Sequence, residues 1–318
     1  MEKYNIGVVG YGNLGKALVK RLSISRNMRA SVIFTRRDPR EIGNTFRAET
    51  DSFSNISMYE GKLDALALTV GSASDLVPVA LSLCGKFNLI DAYDDHKRMR
   101  DYARLLNVKA EESGKLAFYA CGWDPGLMSL ARGLFESVLP FGKGISFWGK
   151  GVSQGHTQAV KEIEGVKDAL QYTIPIKSFE TRAGRGLITE TLPENLHRRY
   201  VLVSAADDAD KERIRKTITD MPDYFDLYET KVVFCTGKKI ERLKKNKEHK
   251  GRVIRVCEET GSILEFRVET QSNPDLTANI MAAYLPALIR MQKEGEKGAR
   301  NVFEIPFDRL VDDNIKFV

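Results

Sequence analysis

A chain of 318 residues is too long for one small core and divides most naturally into two domains, each with enough apolar surface to bury. At 42% hydrophobic and 29% charged residues, with only 10 prolines, its composition excludes a largely disordered protein. The net charge of +6 is matched by the excess within residues 238–252 alone; that segment holds no Phe, Trp or Tyr to stack a base, so it is expected to be a solvated loop between strands, or a basic funnel for an anion, and not a nucleic-acid surface.

The N-terminus runs straight into an apolar strand, without the basic, apolar and small-residue stretches of a signal peptide. No segment approaches the ~18 uninterrupted apolar residues that span a bilayer, so a soluble cytoplasmic protein is expected. Residues 4–9 read as a strand, 10–15 as a glycine turn, 14–23 as a helix with Leu14, Ala17, Leu18 and Leu22 on one face, and 30–34 as a second strand. Further strands are expected over 65–70, 83–92 and 116–120, with a helical stretch over 95–113. Such alternation implies a parallel sheet with helices on both faces.

After about residue 120 the pattern changes. Asp124 before Pro125 is a good helix N-cap, with Leu127, Leu130, Leu134 and Val138 spaced for one side of the helix that follows. Residues 199–203, 231–235, 252–257 and 263–269 are rich in β-formers and read as a mostly antiparallel sheet. A long final helix over 275–294 is expected to return to the first domain. The expected fold is α/β: a Rossmann-type dinucleotide-binding domain over 1–120, completed by 273–318, and an α+β substrate-binding and dimerisation domain over 121–272. Cys84, Cys121, Cys235 and Cys257 have no zinc spacing and read as reduced thiols.

Gly10-Tyr11-Gly12-Asn13-Leu14-Gly15 matches G-x-G-x-x-G directly after a strand and at a helix start, where free N–H groups and the helix dipole attract a pyrophosphate. The next strand ends in Thr35-Arg36-Arg37, where an NAD enzyme would usually place a carboxylate for the ribose hydroxyl. Two guanidinium groups there favour the 2′-phosphate of NADP, although Asp38 follows one step later. Thr69-Val70-Gly71-Ser72 and Ala92-Tyr93-Asp94 close later strands and are expected to border the same crevice.

Beyond the fingerprint, Tyr93-Asp94, Cys121-Gly122-Trp123-Asp124-Pro125-Gly126, Phe147-Trp148-Gly149, Ser153-Gln154-Gly155-His156, residues 166–175 and Met221-Pro222-Asp223-Tyr224-Phe225 strongly resemble the meso-diaminopimelate dehydrogenase family. The resemblance runs in order over essentially the whole chain. It implies a reversible, NADP-dependent oxidative deamination of the D-configured centre of meso-2,6-diaminopimelate, giving ammonia and L-2-amino-6-oxopimelate, which cyclises to tetrahydrodipicolinate, in lysine and diaminopimelate biosynthesis. It also implies a homodimer. Substrate contacts would fall on Asp94, Asp124, Trp148, Gln154, Gly155, Thr173, Arg199, His249 and Asn273, and further cofactor contacts on Cys121, Gly122, Trp123, Asp124 and Pro125.

Diaminopimelate carries two carboxylates and two ammonium groups. Arg199, Thr173 and His249 suit a carboxylate, and Asp94 and Asp124 suit an ammonium and its proton; which of the two takes that proton is open. Blander roles compete: a helix cap for Asp124, a core aromatic for Trp148 and a solvated residue for His249. His96, His156 and His197 lack a metal-ligand pattern, and no metal is expected. Other two-domain NADP reductases, a D-amino acid dehydrogenase and a non-catalytic NADP-sensing protein are the alternatives, although the Lys or Lys/His constellation of the reductases is not visible.

Overall fold

The computed structural model describes residues 3–43, 46–72, 74–188 and 192–310. Two compact units emerge, Met1–Leu130 with Pro274–Val318, and Ala131–Asn273.

In the first unit, β1 (Tyr4–Val9) is followed by α1 (Asn13–Ser23), β2 (Met28–Thr35), β3 (Glu49–Ser52), β4 (Ala65–Leu68), α2 (Leu76–Leu83), β5 (Leu89–Asp91), α3 (Met99–Ser113), β6 (Leu116–Phe118) and α4 (Leu127–Val138), whose last turns belong to the second unit. The strands form one seven-stranded sheet, closed at one edge by a strand from the C-terminal segment, with every pairing parallel. Ile6, Val8 and Val9 are buried, as a central strand covered on both faces requires. On one face Leu18 and Leu22 of α1 pack with Ile6, Val8, Met281 and Leu285; on the other, Leu76, Leu83, Tyr102 and Leu106 pack with Val9, Phe34, Leu66 and Leu68. The chain moves outward from β1 through β2 and β3, then crosses to β4 on the other side. Such a reversal opens a crevice at the carboxyl ends of β1 and β4.

The second unit holds β7 (Lys143–Trp148), β8 (Gly151–Val152), α5 (Gln154–Lys161), β9 (Val166–Pro175), α6 (Lys177–Ala183), β10 (His197–Ala205), α7 (Lys211–Thr219), β11 (Glu229–Phe234), α8 (Gly237–Leu243), β12 (His249–Cys257) and β13 (Ser262–Thr270). Strands β11-β10-β9-β8 make one sheet and β13-β12-β7 another; only β10 and β11 pair in parallel. Val160, Ile214 and Ile218 cover one face of the larger sheet, and Ile240 the other. The chain then enters α9 (Asn273–Lys293) and β14 (Gly298–Arg300), the edge strand of the parallel sheet. No helix among the described residues is long and apolar enough to cross a membrane.

Three expectations are corrected. The apolar run 83–92 is not one strand: Leu83 ends α2, and only Leu89–Asp91 pairs, because Gly85 and Lys86 turn the chain between them. The basic segment 238–252 is not a loop between strands; most of α8 and the first residues of β12 lie within it. Lys238, Lys239 and Lys250 stand exposed on these elements and Lys244 pairs with Asp168, while His249, for which a solvated role competed, is buried. Asp124 does not stand at a helix cap either, since α4 begins at Leu127 and Gly126 precedes it.

Candidate active site

The glycine turn at the end of β1 is built by close approach. Gly10 takes φ +95°, which L side chains rarely adopt, and a Cβ on Gly15 would stand 2.3 Å from the Gly10 carbonyl oxygen. Thr69, at the end of β4, ties the turn down, its Oγ1 donating toward Val9 O and Gly10 O at 2.9 Å each. A Cβ on Gly12 would meet no protein atom within 4 Å. Gly12 therefore presents bare backbone at the N-terminus of α1, whose first turn carries no acidic residue. A pyrophosphate fits that cradle, and a side chain there would fill it.

Beside the turn lies a cleft lined by Tyr11, Thr35, Arg36, Arg37, Val70, Gly71 and Asp75. Thr35 is buried and accepts the Arg37 amide, while an Arg37 Nη donates to Tyr11 O at 3.1 Å. Arg36 makes a two-pronged ion pair with Asp75, at 2.6 and 3.2 Å. Arg36 thus already has a carboxylate partner of its own. The Asp38 carboxylate is engaged elsewhere, accepting from the Arg40 amide and side chain. Asn13 and Leu14 open α1, and Ser72 and Ala92 follow β4 and β5 along the same edge of the sheet.

Asp94 lies just past β5. Although its side chain is at the surface, desolvation raises its carboxyl above the ordinary range, against a hydrogen bond from Ser72 and the charge of His96. Cys121 to Gly126 fold back on themselves through bridges from Gly122 and Trp123 to Gly126, and Leu127 N reaches Gly122 O at 3.1 Å. Only glycine serves at 126, where a Cβ would overlap the Gly122 carbonyl. Asp124 stands half-buried in this loop, before a cis peptide bond to Pro125. Burial pushes the Cys121 thiol well above its usual range, which makes it an inert core residue.

In the second unit, the antiparallel register of β9 and β10 sets Thr173 opposite Arg199, Gln171 opposite Val201 and Ala169 opposite Val203. Along one sheet face the apolar pair Ala169–Val203 therefore gives way to a polar end. There Arg199 Nη1 donates to Thr173 Oγ1 at 2.5 Å, Gln171 Nε2 lies 3.4 Å from the same oxygen, and the guanidinium stacks 3.8 Å above the Tyr228 ring. Arg199 is only 8% exposed, its Nε has no hydrogen-bond partner among the described residues, and burial lowers its pKa. A guanidinium so placed is strongly biased toward an anionic ligand.

Neighbouring elements extend the cluster. Gly151 of β8 pairs with Thr173, and the His249 ring packs so closely on Gly151 that a Cβ there would lie 2.3 Å from it. Asn273 N donates to Lys247 O, which brings the start of α9 beside the start of β12. Gln154 and Gly155, both exposed, open α5 after Ser153. Trp148 is half-buried, with its amide donating to His197 Nε2 and its ring 5.4 Å from the His197 ring. Thr173, Arg199, His249 and Asn273 thus lie on adjoining elements of one unit, and Asp94 and Asp124 on loops of the other. Among the described residues no three His, Cys, Asp or Glu side chains gather as a metal site would need.

The motifs around Ser153 and residues 221–225 meet at His156. Its Nδ1 is 2.7 Å from Ser153 Oγ, and Tyr224 and Phe225 pack edge-on to the ring. Burial, with the Arg199 charge adding, pushes the imidazole from 6.5 down to about 3. The folded state therefore needs the neutral ring: the stability this gives is complete above pH 6.5 and lost as pH falls toward 3. Compared with His156→Gln, the wild type is expected to lose up to roughly 4 kcal/mol more across that window, at about 1.4 kcal/mol per unit. Urea unfolding at stepped pH checks this; parallel slopes for the two proteins would refute it.

Sequence reasoning missed Asp75, Gln171, Tyr228 and Asp91. No local pattern marks them: Asp75 and Tyr228 act on Arg36 and Arg199, far away in the chain, Asp91 reaches across to Ala120, and Gln171 reads as an ordinary strand residue two positions before Thr173.

Residues 122–272 match the family described as the diaminopimelic acid dehydrogenase C-terminal domain. The chain is 40% identical over 313 residues to a meso-diaminopimelate D-dehydrogenase of Ureibacillus thermosphaericus, covering 98% of this chain and 96% of that protein. Its fold is similar to that of the Corynebacterium glutamicum DAP dehydrogenase in complex with DAP, with TM-score 0.92 and 32% identity, covering 99% and 97% of the two chains. An engineered D-amino acid dehydrogenase bound to NADP+ is similar at TM-score 0.89 and 31% identity, over 98% and 97%.

Proposed function

This chain belongs to the meso-diaminopimelate D-dehydrogenase family, and from that premise we propose how its residues carry out the reaction. It is an amino acid dehydrogenase that oxidises the D-configured centre of meso-2,6-diaminopimelate with NADP and water, releasing ammonia, a proton and L-2-amino-6-oxopimelate. NADP, when bound, takes the hydride from the D carbon. The Gly12 cradle at α1 would hold its pyrophosphate, and Arg36 and Arg37 its 2′-phosphate.

The observation that carries the substrate reading is Arg199. It is a buried cation that no carboxylate pairs with among the described residues, beside the Thr173 hydroxyl and the buried His249 ring. This set supports binding of the carboxylate at the L-configured end. Asn273 suits the neighbouring amine, and Trp148, Gln154 and Gly155 the chain of the substrate. At the D end the ammonium must lose a proton before hydride can leave. Asp94 and Asp124 are the acceptors in reach of that role.

Adding the separated isomers to the protein with NADP at alkaline pH tests the reading. NADPH should form with the meso isomer and not with the L,L isomer. Equal rates on both would return the chain to the wider class of NADP oxidoreductases, and NADP binding without turnover of either would support a sensing role.

Asp124→Asn separates chemistry from folding. Because Asn has the shape of Asp and keeps an acceptor oxygen, the substitution should leave the thermal midpoint nearly unchanged. Loss of the carboxylate should lower kcat/KM by at least ~10-fold while the NADP Kd holds. Normal kinetics in the variant would remove Asp124 from the site.

We also propose a cytoplasmic homodimer that associates through the second unit, where Leu134, Val138 and Phe141 are exposed. Sedimentation velocity at several concentrations measures the association.

A further inference from the structure

Asp91 has no part in the chemistry above, yet it is a carboxylate only 1% exposed at the carboxyl tip of β5. Its Oδ1 accepts two backbone amides, Tyr93 N at 2.9 Å and Ala120 N at 3.0 Å. Its Oδ2 accepts the hydroxyl of Tyr102, whose ring packs 4.7 Å from that of Tyr93. Its backbone carbonyl takes the Cys121 amide at 2.8 Å.

Burying a charged group is costly, and ending a parallel strand does not require one: β4 is followed by Thr69, whose hydroxyl ties β4 to the glycine turn. What the contacts of Asp91 share is where they lead. Tyr93 is followed at once by Asp94. Ala120 and Cys121 begin the loop that reaches Asp124, and Ala120 is held at φ +56°, a region that residues other than glycine seldom occupy.

We propose that Asp91 is a positioning residue for the dehydrogenation, fixing from one carboxylate the two loops that carry Asp94 and Asp124. The inference rests on the reading of those two residues as partners of the substrate amine. Burial pushes the Asp91 carboxyl up to about 6, so in the alkaline range where the amine is oxidised it is a fully charged acceptor.

The two oxygens predict different outcomes for two substitutions of similar size. Asp91→Asn keeps an oxygen where both amides converge and turns its NH2 toward the Tyr102 oxygen, which can accept. Asp91→Leu removes both acceptors. Displacement of reacting groups by about 1 Å can cost ~100-fold in rate. Asp91→Leu is therefore expected to lose at least ~30-fold in kcat while the NADP Kd stays within ~3-fold, and Asp91→Asn to remain within ~5-fold of the wild type.

Amide hydrogen exchange at Tyr93 and Ala120 should quicken in Asp91→Leu and not in Asp91→Asn. Wild-type kcat and exchange in folded Asp91→Leu would overturn the proposal, as would equal damage from both substitutions. Should Asp91→Leu not fold, Tyr102→Phe decides: it releases Oδ2 alone, a ~3-fold or greater loss of kcat with unchanged NADP binding is expected, and wild-type kcat overturns the idea. Failure of the wild type to turn over diaminopimelate is a different result. It removes the substrate reading and leaves the exchange measurement to judge Asp91.

Discussion

Arg199→Met is expected to reduce kcat/KM for meso-diaminopimelate by at least ~100-fold without destabilising the protein. The loss follows from two charge-assisted hydrogen bonds to a carboxylate, at about 1.5 to 3 kcal/mol each. Unchanged or raised stability follows from burial. Arg199 is held in a desolvated position with its Nε unpartnered among the described residues, so an apolar side chain of similar length relieves a cost in the free protein. Thr173 Oγ1 keeps Gln171 as a neighbour. Because Arg199 is assigned to the end of the substrate that does not react, part of the loss should appear in kcat, since remote binding energy orients the reacting carbon. Steady-state kinetics and a thermal melt on the same preparation check both halves. A stable variant with wild-type kinetics would exclude Arg199 from the substrate site.

Replacing Arg36 and Arg37 together should weaken NADP at least ~30-fold more than NAD. Two charge-assisted contacts to the 2′-phosphate supply about 3 to 6 kcal/mol. Asp75 reduces this, because Arg36 must exchange that carboxylate for the phosphate. The pair is exposed, with Arg36 at 67%, and exposed ion pairs are worth roughly 0 to 1 kcal/mol, so most of the preference survives the exchange. Asp75→Ala should act in the opposite direction and tighten NADP by up to ~5-fold, with NAD unaffected. Titration of both cofactors into the three proteins tests the set. Equal losses of NADP and NAD in the double variant would contradict the assignment of the two arginines.

Much of the first unit was legible because its signals are local. A glycine fingerprint between a strand and a helix, two arginines where a carboxylate would usually stand, and apolar spacing along α1 each report on neighbours in the chain. Motif resemblance reached the family for the same reason, through short runs such as Gly122 to Gly126. Local signals also misled. The apolar residues 83–92 suggested one strand, because hydrophobicity alone does not separate the end of a helix from the strand after the next turn. Asp124 before Pro125 looked like a cap, but Gly126 folds against Gly122 and delays the helix to Leu127. His249 sat among lysines and looked solvated, although alternation along β12 turns it inward against Gly151.

By itself, then, the sequence determined the class of fold, the glycine turn after the first strand, the use of NADP and the family. Each rests on residues close together in the chain, where backbone geometry and side-chain period are set by local sterics. Tertiary structure alone decided that Thr173 faces Arg199, because strand register is a property of the pair of strands and not of either. It alone placed Asp75 on Arg36 across 39 residues, and the Asp91 carboxylate under Ala120 across 29. Contacts at such separations arise only when the packed sheet brings strand ends together, and a buried polar group must then find its partners among whatever the fold has placed beside it.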